Sequence, residues 1–349
     1  MDDRAPRQSA AALPAGAPPM RRPEVLYAAL DLGTNNCRLL IARPVWDGFR
    51  VVDAFSRIVR LGEGLGSSGR LSHEAITRAV EALKICRDKI AARGVKRARL
   101  IATEACRSAE NGHDFSARVR DETGLELEII DRATEARLAA LGCSPLADPN
   151  ADGVLLFDIG GGSSELVWLD RPKGGLTGEP RIRSWISLPV GVVTLAERHG
   201  GVDVSEEIFE AMVQDVVPML ADFPEREHLE AALPRLHMLG TSGTVTTLAG
   251  VHMNLPRYDR RRVDGAWLEC AQIDHVVGQL RGMSYDERVA NPCIGRERAD
   301  LVLAGCAILE AFRRTFPCTR LRVADRGLRE GMLIDLMRAD GMWRGKRAS

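Results

Sequence analysis

The chain of 349 residues carries no excess charge of either sign: Lys plus Arg and Asp plus Glu number 48 each. No global field draws it to DNA or a membrane surface, so any polyanion site has to be a local cluster. Long apolar runs are missing as well. The longest, around Leu301–Leu309, is far below the length of a bilayer span, and no membrane partner is expected. The eight cysteines include no Cys-x-x-Cys pair, and with seven isolated histidines they give no zinc spacing. They read as reduced core thiols of a cytoplasmic protein. Residues 1–23 are rich in Ala and Pro but lack the continuous apolar core of a signal peptide; a disordered tail is expected there, and a basic tail at 340–349.

What is present centres on Val154–Asp170, VLLFDIGGGSSELVWLD. Val154 to Phe157 read as a buried strand that delivers Asp158 to its carboxyl end. Gly160, Gly161 and Gly162 then let the backbone turn where a Cβ would clash, leaving N–H groups to converge on an anion. Ser163 and Ser164 add hydroxyls. Glu165–Asp170 alternates as a second strand, so this is a glycine-tipped hairpin and not a nucleotide P-loop, whose lysine is also missing. A carboxylate beside a phosphate cradle would repel its ligand unless a divalent cation stood between them, so Asp158 argues for Mg²⁺ held jointly by protein and phosphate.

The chain does this twice. Ala28–Ala42, AALDLGTNNCRLLIA, superposes without a gap on Leu155–Leu169, 127 residues later. Asp31 lies on Asp158, Gly33 on Gly160, Asn36 on Ser163 and Arg38 on Glu165. Two copies imply two related halves of roughly 110–190 residues each, with a cleft to which each supplies a phosphate loop.

The order of elements supports this. Phe49–Leu61 reads as a third strand, and Ser72 caps a helix with Ile76, Val80, Leu83 and Ile90 at helical spacing and Gly94 at its end. A strand at Arg99–Thr103, a helix over 105–123 and a strand at Glu126–Asp131 follow, an order read as α/β and ribonuclease H-like. The second half repeats it, with strands near 154–159, 164–170 and 180–188 and helices over 190–199 and 205–222. A strand at Leu236–Gly240 runs into a Gly/Ser/Thr loop, 240–247. Helices over 272–282 and 298–314, the strand Arg320–Ala324 and a helix over 326–339 complete it. Helix 298–314 is apolar nearly all round and should be central to the second core. The domains are set at 24–135 and 136–325, with helix 326–339 packing back on the first.

Seven motifs occur in order: Asp31–Asn35, Ala102–Arg107, Glu135–Leu138, Asp158–Ser163, Gly240–Thr244, Arg298–Asp300 and Asp325–Gly331. Together they resemble the exopolyphosphatase/guanosine pentaphosphate phosphohydrolase family, of the actin, sugar kinase and heat-shock ATPase superfamily, over about residues 25–339. The resemblance implies Mg²⁺-dependent hydrolysis of a terminal phosphoryl group of inorganic polyphosphate or of the 5′ triphosphate of guanosine pentaphosphate. Glu135 then matches a catalytic glutamate that activates water, and Asp158 and Glu165 match metal- and water-positioning acids, with Asp31 as a further metal ligand. Arg38, Arg107 and Arg298 match phosphate-contacting arginines, whose planar fork bonds two oxygens at once. Gly33, Thr34, Asn35, Gly160–Ser163, Ser242, Gly243 and Thr244 are the corresponding loop positions. Asn111, before glycine, reads as a turn. Arg257, Arg260, Arg261 and Arg262 beside Tyr258 could form an anion track or stack a base. Longer members append helical domains after the last motif, so high processivity on long polymer is not expected here. A homodimer is expected. Two other readings stay open: an ATP-using enzyme of the same superfamily, and a non-catalytic alarmone or polyphosphate sensor.

Overall fold

The computed structural model describes residues 25–46, 48–170 and 181–343; the tail expected at 1–23, and that at 340–349 beyond Trp343, lie outside the described residues. Asp340 is docked, accepting from the Tyr27 hydroxyl and the Arg97 guanidinium at 3.0 Å.

The first half holds β1 (Tyr27–Leu32), β2 (Asn36–Val45), β3 (Gly48–Ile58), α1 (Leu65–Ser68), α2 (His73–Ala92), β4 (Arg97–Ala102), α3 (Glu104–Ser108), α4 (Gly112–Thr123), β5 (Glu128–Ile129) and α5 (Arg132–Cys143). The second opens with β6 (Gly153–Ile159), β7 (Ser164–Asp170), β8 (Arg181–Leu188), α6 (Val192–His199), α7 (Glu206–Val216), α8 (Arg226–Ala232), β9 (Leu236–Thr241), α9 (Gly243–His252) and α10 (Arg260–Val263). It closes with β10 (Trp267–Glu269), α11 (Cys270–Gly282), α12 (Tyr285–Ala290), α13 (Val302–Thr315), β11 (Arg320–Ala324) and α14 (Leu328–Ala339). The sheets run β3-β2-β1-β4-β5 and β8-β7-β6-β9-β11, the second with β10 added at its edge. In each, an antiparallel three-strand meander continues into parallel strands.

Why β6 reads as an unbroken apolar run follows from its two covers. Leu155 and Phe157 join the large core that includes α13, while Val154 and Leu156 pack with Ala136, Ala140 and Cys143 of α5. In β1, Ala28, Leu30 and Leu32 face the core with α2, and Tyr27 and Ala29 face Met332, Leu333 and Met337 of α14. The linking helices are thus exchanged: α5, from the first half, covers the second sheet, and α14, at the end of the chain, covers the first. Where they cross, a Cβ on Gly331 would stand 1.9 Å from the Leu138 carbonyl oxygen, so the two backbones touch. A domain boundary between 135 and 136 falls in the first turn of α5, which runs unbroken to Cys143.

Several expected elements differ. The helix expected over 105–123 is broken at Ala109–Asn111. Asn111 is not an idle turn residue, since its amide clamps Leu71, accepting from the Leu71 N–H at 2.8 Å and donating to its carbonyl at 3.0 Å. The strand expected at 126–131 shrinks to Glu128–Ile129, and the helix over 205–222 becomes 3₁₀ from Val217, where Pro218 withholds an amide. Of the Gly/Ser/Thr loop at 240–247, Gly240 and Thr241 end β9 and residues 243–247 open α9, while α13 begins at Val302, leaving Arg298 in the preceding turns.

Candidate active site

The two glycine hairpins are built alike. Asp31 pairs in register with Arg38, and Asp158 with Glu165. Gly33 N–H closes the first on the Asn36 carbonyl at 2.9 Å, and Gly160 N–H the second on the Ser163 carbonyl at 3.0 Å. Those two amides are therefore engaged, while the N–H groups of Thr34, Asn35, Gly161 and Gly162 have no acceptor among the described residues. The glycines serve close approach rather than unusual torsion, for none of residues 160–162 has positive φ. A Cβ on Gly161 would lie 3.0 Å from Thr34 Cβ and 3.2 Å from Asn35 N; one on Gly162 would lie 2.8 Å from Thr34 Oγ1. The hairpin tips meet face to face.

Each tip is braced from behind. Thr34 O accepts from Gly62 N–H, and Asn35 O from Val59 and Arg60 N–H, at 2.9–3.0 Å. Arg60 holds the left-handed backbone that favours glycine, at φ 46, and its guanidinium reaches Asp300 of the second half at 2.9 Å. Gly64 N–H donates across the same mouth to Glu197 Oε1 at 2.8 Å. On the other side the first N–H groups of α6 hold the carbonyls of Gly160 and Gly161, at 2.9 and 2.8 Å.

Between the tips and α14 lies a cavity of about 670 Å³. It is lined by Asp31, Gly33, Thr34, Asn35, Arg38, Glu135, Asp158, Gly160, Gly161, Gly162, Ser163, Glu165, Ser242, Gly243, Thr244 and Arg298. Arg107 differs: it does not line the cavity. Its guanidinium stands behind Glu135, donating to Glu135 Oε2 at 3.1 Å, to the Ile130 carbonyl at 2.6 Å and to Glu104. Ser242 holds φ 78, an uncommon backbone for serine, and its hydroxyl donates to the Ile159 carbonyl at 2.5 Å. The arginine cluster that could form an anion track is divided, and its Tyr258 lines the cavity. Arg260 is bound to Glu330 at 2.8 Å and to the Asp325 carbonyl, Tyr258 donates to Asp325 at 2.6 Å, and Arg257, Arg261 and Arg262 are exposed.

Glu104 escaped the sequence reading. It is buried on the cavity wall, and although burial works against its charge, Arg132, Ser108 and Arg107 hold its carboxyl below the usual range. Arg132 donates to it at 2.9 Å and Ser108 at 2.6 Å. Its place directly after the carboxyl end of β4, inside the motif Ala102–Arg107, was the available signal.

The other carboxylates are short of positive partners. Burial, then the charge of Asp31, pushes Asp158 up to about 6. Burial and then Asp158 push Glu165 up to about 7, against the Ser187 hydroxyl that donates to it at 2.9 Å. Burial and then Glu165 raise Glu135 well above the carboxylate range, opposed by Arg107, and burial raises Asp31 against Arg38. Among the described residues no three His, Cys, Asp or Glu side chains gather closely enough to hold a metal unaided. The side chains that Asp31, Glu135, Asp158 and Glu165 bring to this wall are oxygen donors, the kind a hard divalent cation takes.

Two mixed sheets of the same strand order, with a carboxylate-bearing hairpin from each meeting over one cleft, define the actin-like ATPase fold. The Ppx/GppA phosphatase family model matches residues 40–340, and the chain belongs to that family of hydrolases. Exopolyphosphatase 2 of Mycobacterium tuberculosis is 30% identical over 331 residues, 88% of this chain and 98% of that protein. A guanosine-5'-triphosphate,3'-diphosphate pyrophosphatase of Pseudoalteromonas atlantica is 26% identical over 326 residues, 91% of this chain; the match spans only 60% of that longer protein. Among solved structures, the Aquifex aeolicus Ppx/GppA family member is 30% identical, with TM-score 0.73 over 91% of this chain and 99% of that one. An exopolyphosphatase from Cytophaga hutchinsonii, 26% identical, gives 0.79 over 92% and 100%. No helix among the described residues is long and apolar enough to cross a membrane.

Proposed function

We propose that this chain is a Mg²⁺-dependent phosphohydrolase that removes the terminal phosphoryl group of inorganic polyphosphate or of the 5′ end of guanosine pentaphosphate. The observation that carries the reading is the placement of Glu135 on the cavity wall with the two hairpins, its carboxyl raised toward proton-accepting strength and oriented by Arg107. The amides of Thr34, Asn35, Gly161 and Gly162, with Arg38 and Arg298, receive the terminal phosphates; each charge-assisted hydrogen bond contributes roughly 1.5–3 kcal/mol. Glu135 positions a water and takes its proton as the oxygen bonds to the terminal phosphorus. The bridging P–O bond breaks, and orthophosphate leaves with a chain one unit shorter. Asp158, Glu165 and Asp31 would hold Mg²⁺ together with substrate oxygens, and the cation supplies neutralisation of the phosphate charge. Arg107 acts through Glu135 as a positioning residue.

The test is orthophosphate release by the purified chain from long polyphosphate, short polyphosphate, guanosine pentaphosphate and ATP, each with Mg²⁺ and with EDTA. Mg²⁺-dependent release from polyphosphate or pentaphosphate is expected. Release from ATP only with a co-substrate would identify a kinase, and binding without release a sensor.

A pH dependence follows from the raised carboxylates. In the folded state Asp158 and Glu165 keep protons that the unfolded chain, with carboxylates near 4, has already lost. Their contribution to stability is therefore full below about pH 4 and is lost as pH rises through 6 to 7. A cation between them restores it. The gain in melting temperature from EDTA to Mg²⁺ should thus be larger at pH 8 than at pH 5.5; equal gains at both would detach the cation from these residues.

A further inference from the structure

Arg329 sits in the first turn of α14 and lines the cavity with Arg38 and Arg298. Its side chain has neither a hydrogen bond nor an ion pair among the described residues, and the same holds for Arg38. The Arg298 side chain is likewise without a hydrogen-bond or ion-pair partner among the described residues, whereas other arginines around the cavity are engaged. Arg107, Arg260 and Arg326 are each tied to carboxylates, Arg326 to Asp264 and Arg260 to Glu330. The acids nearest Arg329 do not bond it: Glu330 is occupied by the Gly327 N–H at 2.9 Å and by Arg260 at 2.8 Å, and Asp31 acts on it only through space. Burial, with the like charges of Arg38 and Arg260 adding to it, pushes the Arg329 guanidinium down from its ordinary range. Such a group still stays charged at neutral pH. Two half-buried guanidinium groups facing one space, each without an acceptor, are a costly arrangement unless an anion joins them.

We infer that Arg329 binds substrate, forming with Arg38 a two-arginine clamp on neighbouring phosphoryl groups of an oligophosphate. The inference rests on the phosphohydrolase reading and adds to it a residue outside the expected set. Arg329 is well placed for this because Leu328, Met332 and Leu333 anchor α14 on the first sheet, while Arg326, three residues before, is tied to the second half. The fork is held at the seam of the two halves, where an anion is gripped by both.

The test is calorimetric titration of the full chain with inorganic tripolyphosphate and Mg²⁺, on a Glu135→Gln background so that the ligand is not consumed. Arg329→Met should raise Kd at least tenfold with a melting temperature no lower than the parent's, Arg329→Lys should recover part of the loss, and the exposed Arg257→Met should match the parent. Arg38→Met and Arg329→Met should be non-additive, as for groups on one ligand. If Arg329→Met unsettles the fold, Arg329→Lys decides alone, with a Kd three to tenfold weaker expected. Tripolyphosphate binding equal to the parent in the Met variant, or in the Lys variant where that decides, overturns the inference and leaves the hydrolase reading intact. A parent that binds no tripolyphosphate overturns both. Binding that depends on Arg329 in a wild-type chain that releases no phosphate upholds the clamp and overturns the hydrolase.

Discussion

Glu135→Gln should lower kcat for phosphate release by about 10²–10⁴-fold while leaving tripolyphosphate affinity unchanged or tighter. The substitution keeps the size and one acceptor oxygen of the side chain, so the bonds from Arg107 can persist, but it removes the ability to take a proton. Affinity should not fall, because the cavity loses one of the carboxylates that repel a polyanion. The raised proton affinity of Glu135 is what suits it to the role. A base near its ordinary carboxylate value would accept a proton from water only weakly at neutral pH, and burial beside Glu165 corrects that at the cost of charge repulsion. Steady-state kinetics beside calorimetry separates the two effects. A kcat within about threefold of the parent, or a parallel loss of binding and turnover, would remove Glu135 from the chemistry.

The two hairpins were legible because they are local. Each is a short gap-free stretch in which strand, glycine turn and strand follow one another, and the repeat of Asp31 at Asp158 needs no knowledge of distant contacts. Glu135 was not legible in that way; only the ordered motifs singled it out, since from spacing alone it is a charged residue in the first turn of a helix. Glu104 and Arg329 lay inside motifs and were still passed over. Nothing in a linear pattern says that Glu104 turns inward to bind two arginines, or that Arg329 is left without a partner. Short helices such as α8 and α12 were missed for lack of two full turns of periodicity. Arg107 was singled out by its motif and lies behind Glu135, not on the cavity lining. Whether a guanidinium faces a phosphate or a neighbouring carboxylate depends on residues 28 positions apart.

Gly162→Val should lower kcat/KM by about 100-fold with only a few degrees' change in melting temperature, because it attacks the meeting of the halves and not their cores. A Cβ there already stands 2.8 Å from Thr34 Oγ1 and 3.3 Å from Glu104 Cγ, and valine adds two methyl groups. Such overpacking costs about 1–3 kcal/mol, and here the cheapest relief is for the hairpin tips to part. Parted tips no longer present their amides to one phosphate, so the loss falls on the transition state, where the fit must be closest. Two controls make the argument specific. Thr34→Ala removes the very atoms that clash, so in the double variant it should restore at least about tenfold of the activity, a coupling that independent sites do not show. Gly33→Ala, in the first hairpin at the position that corresponds to Gly160, meets nothing closer than 3.7 Å and should stay within about threefold of the parent. Measurement of kcat/KM and melting temperature for the four variants checks this. If Gly33→Ala were as damaging as Gly162→Val, the hairpins would need glycine for mobility, and close contact between their tips would not be the reason for it.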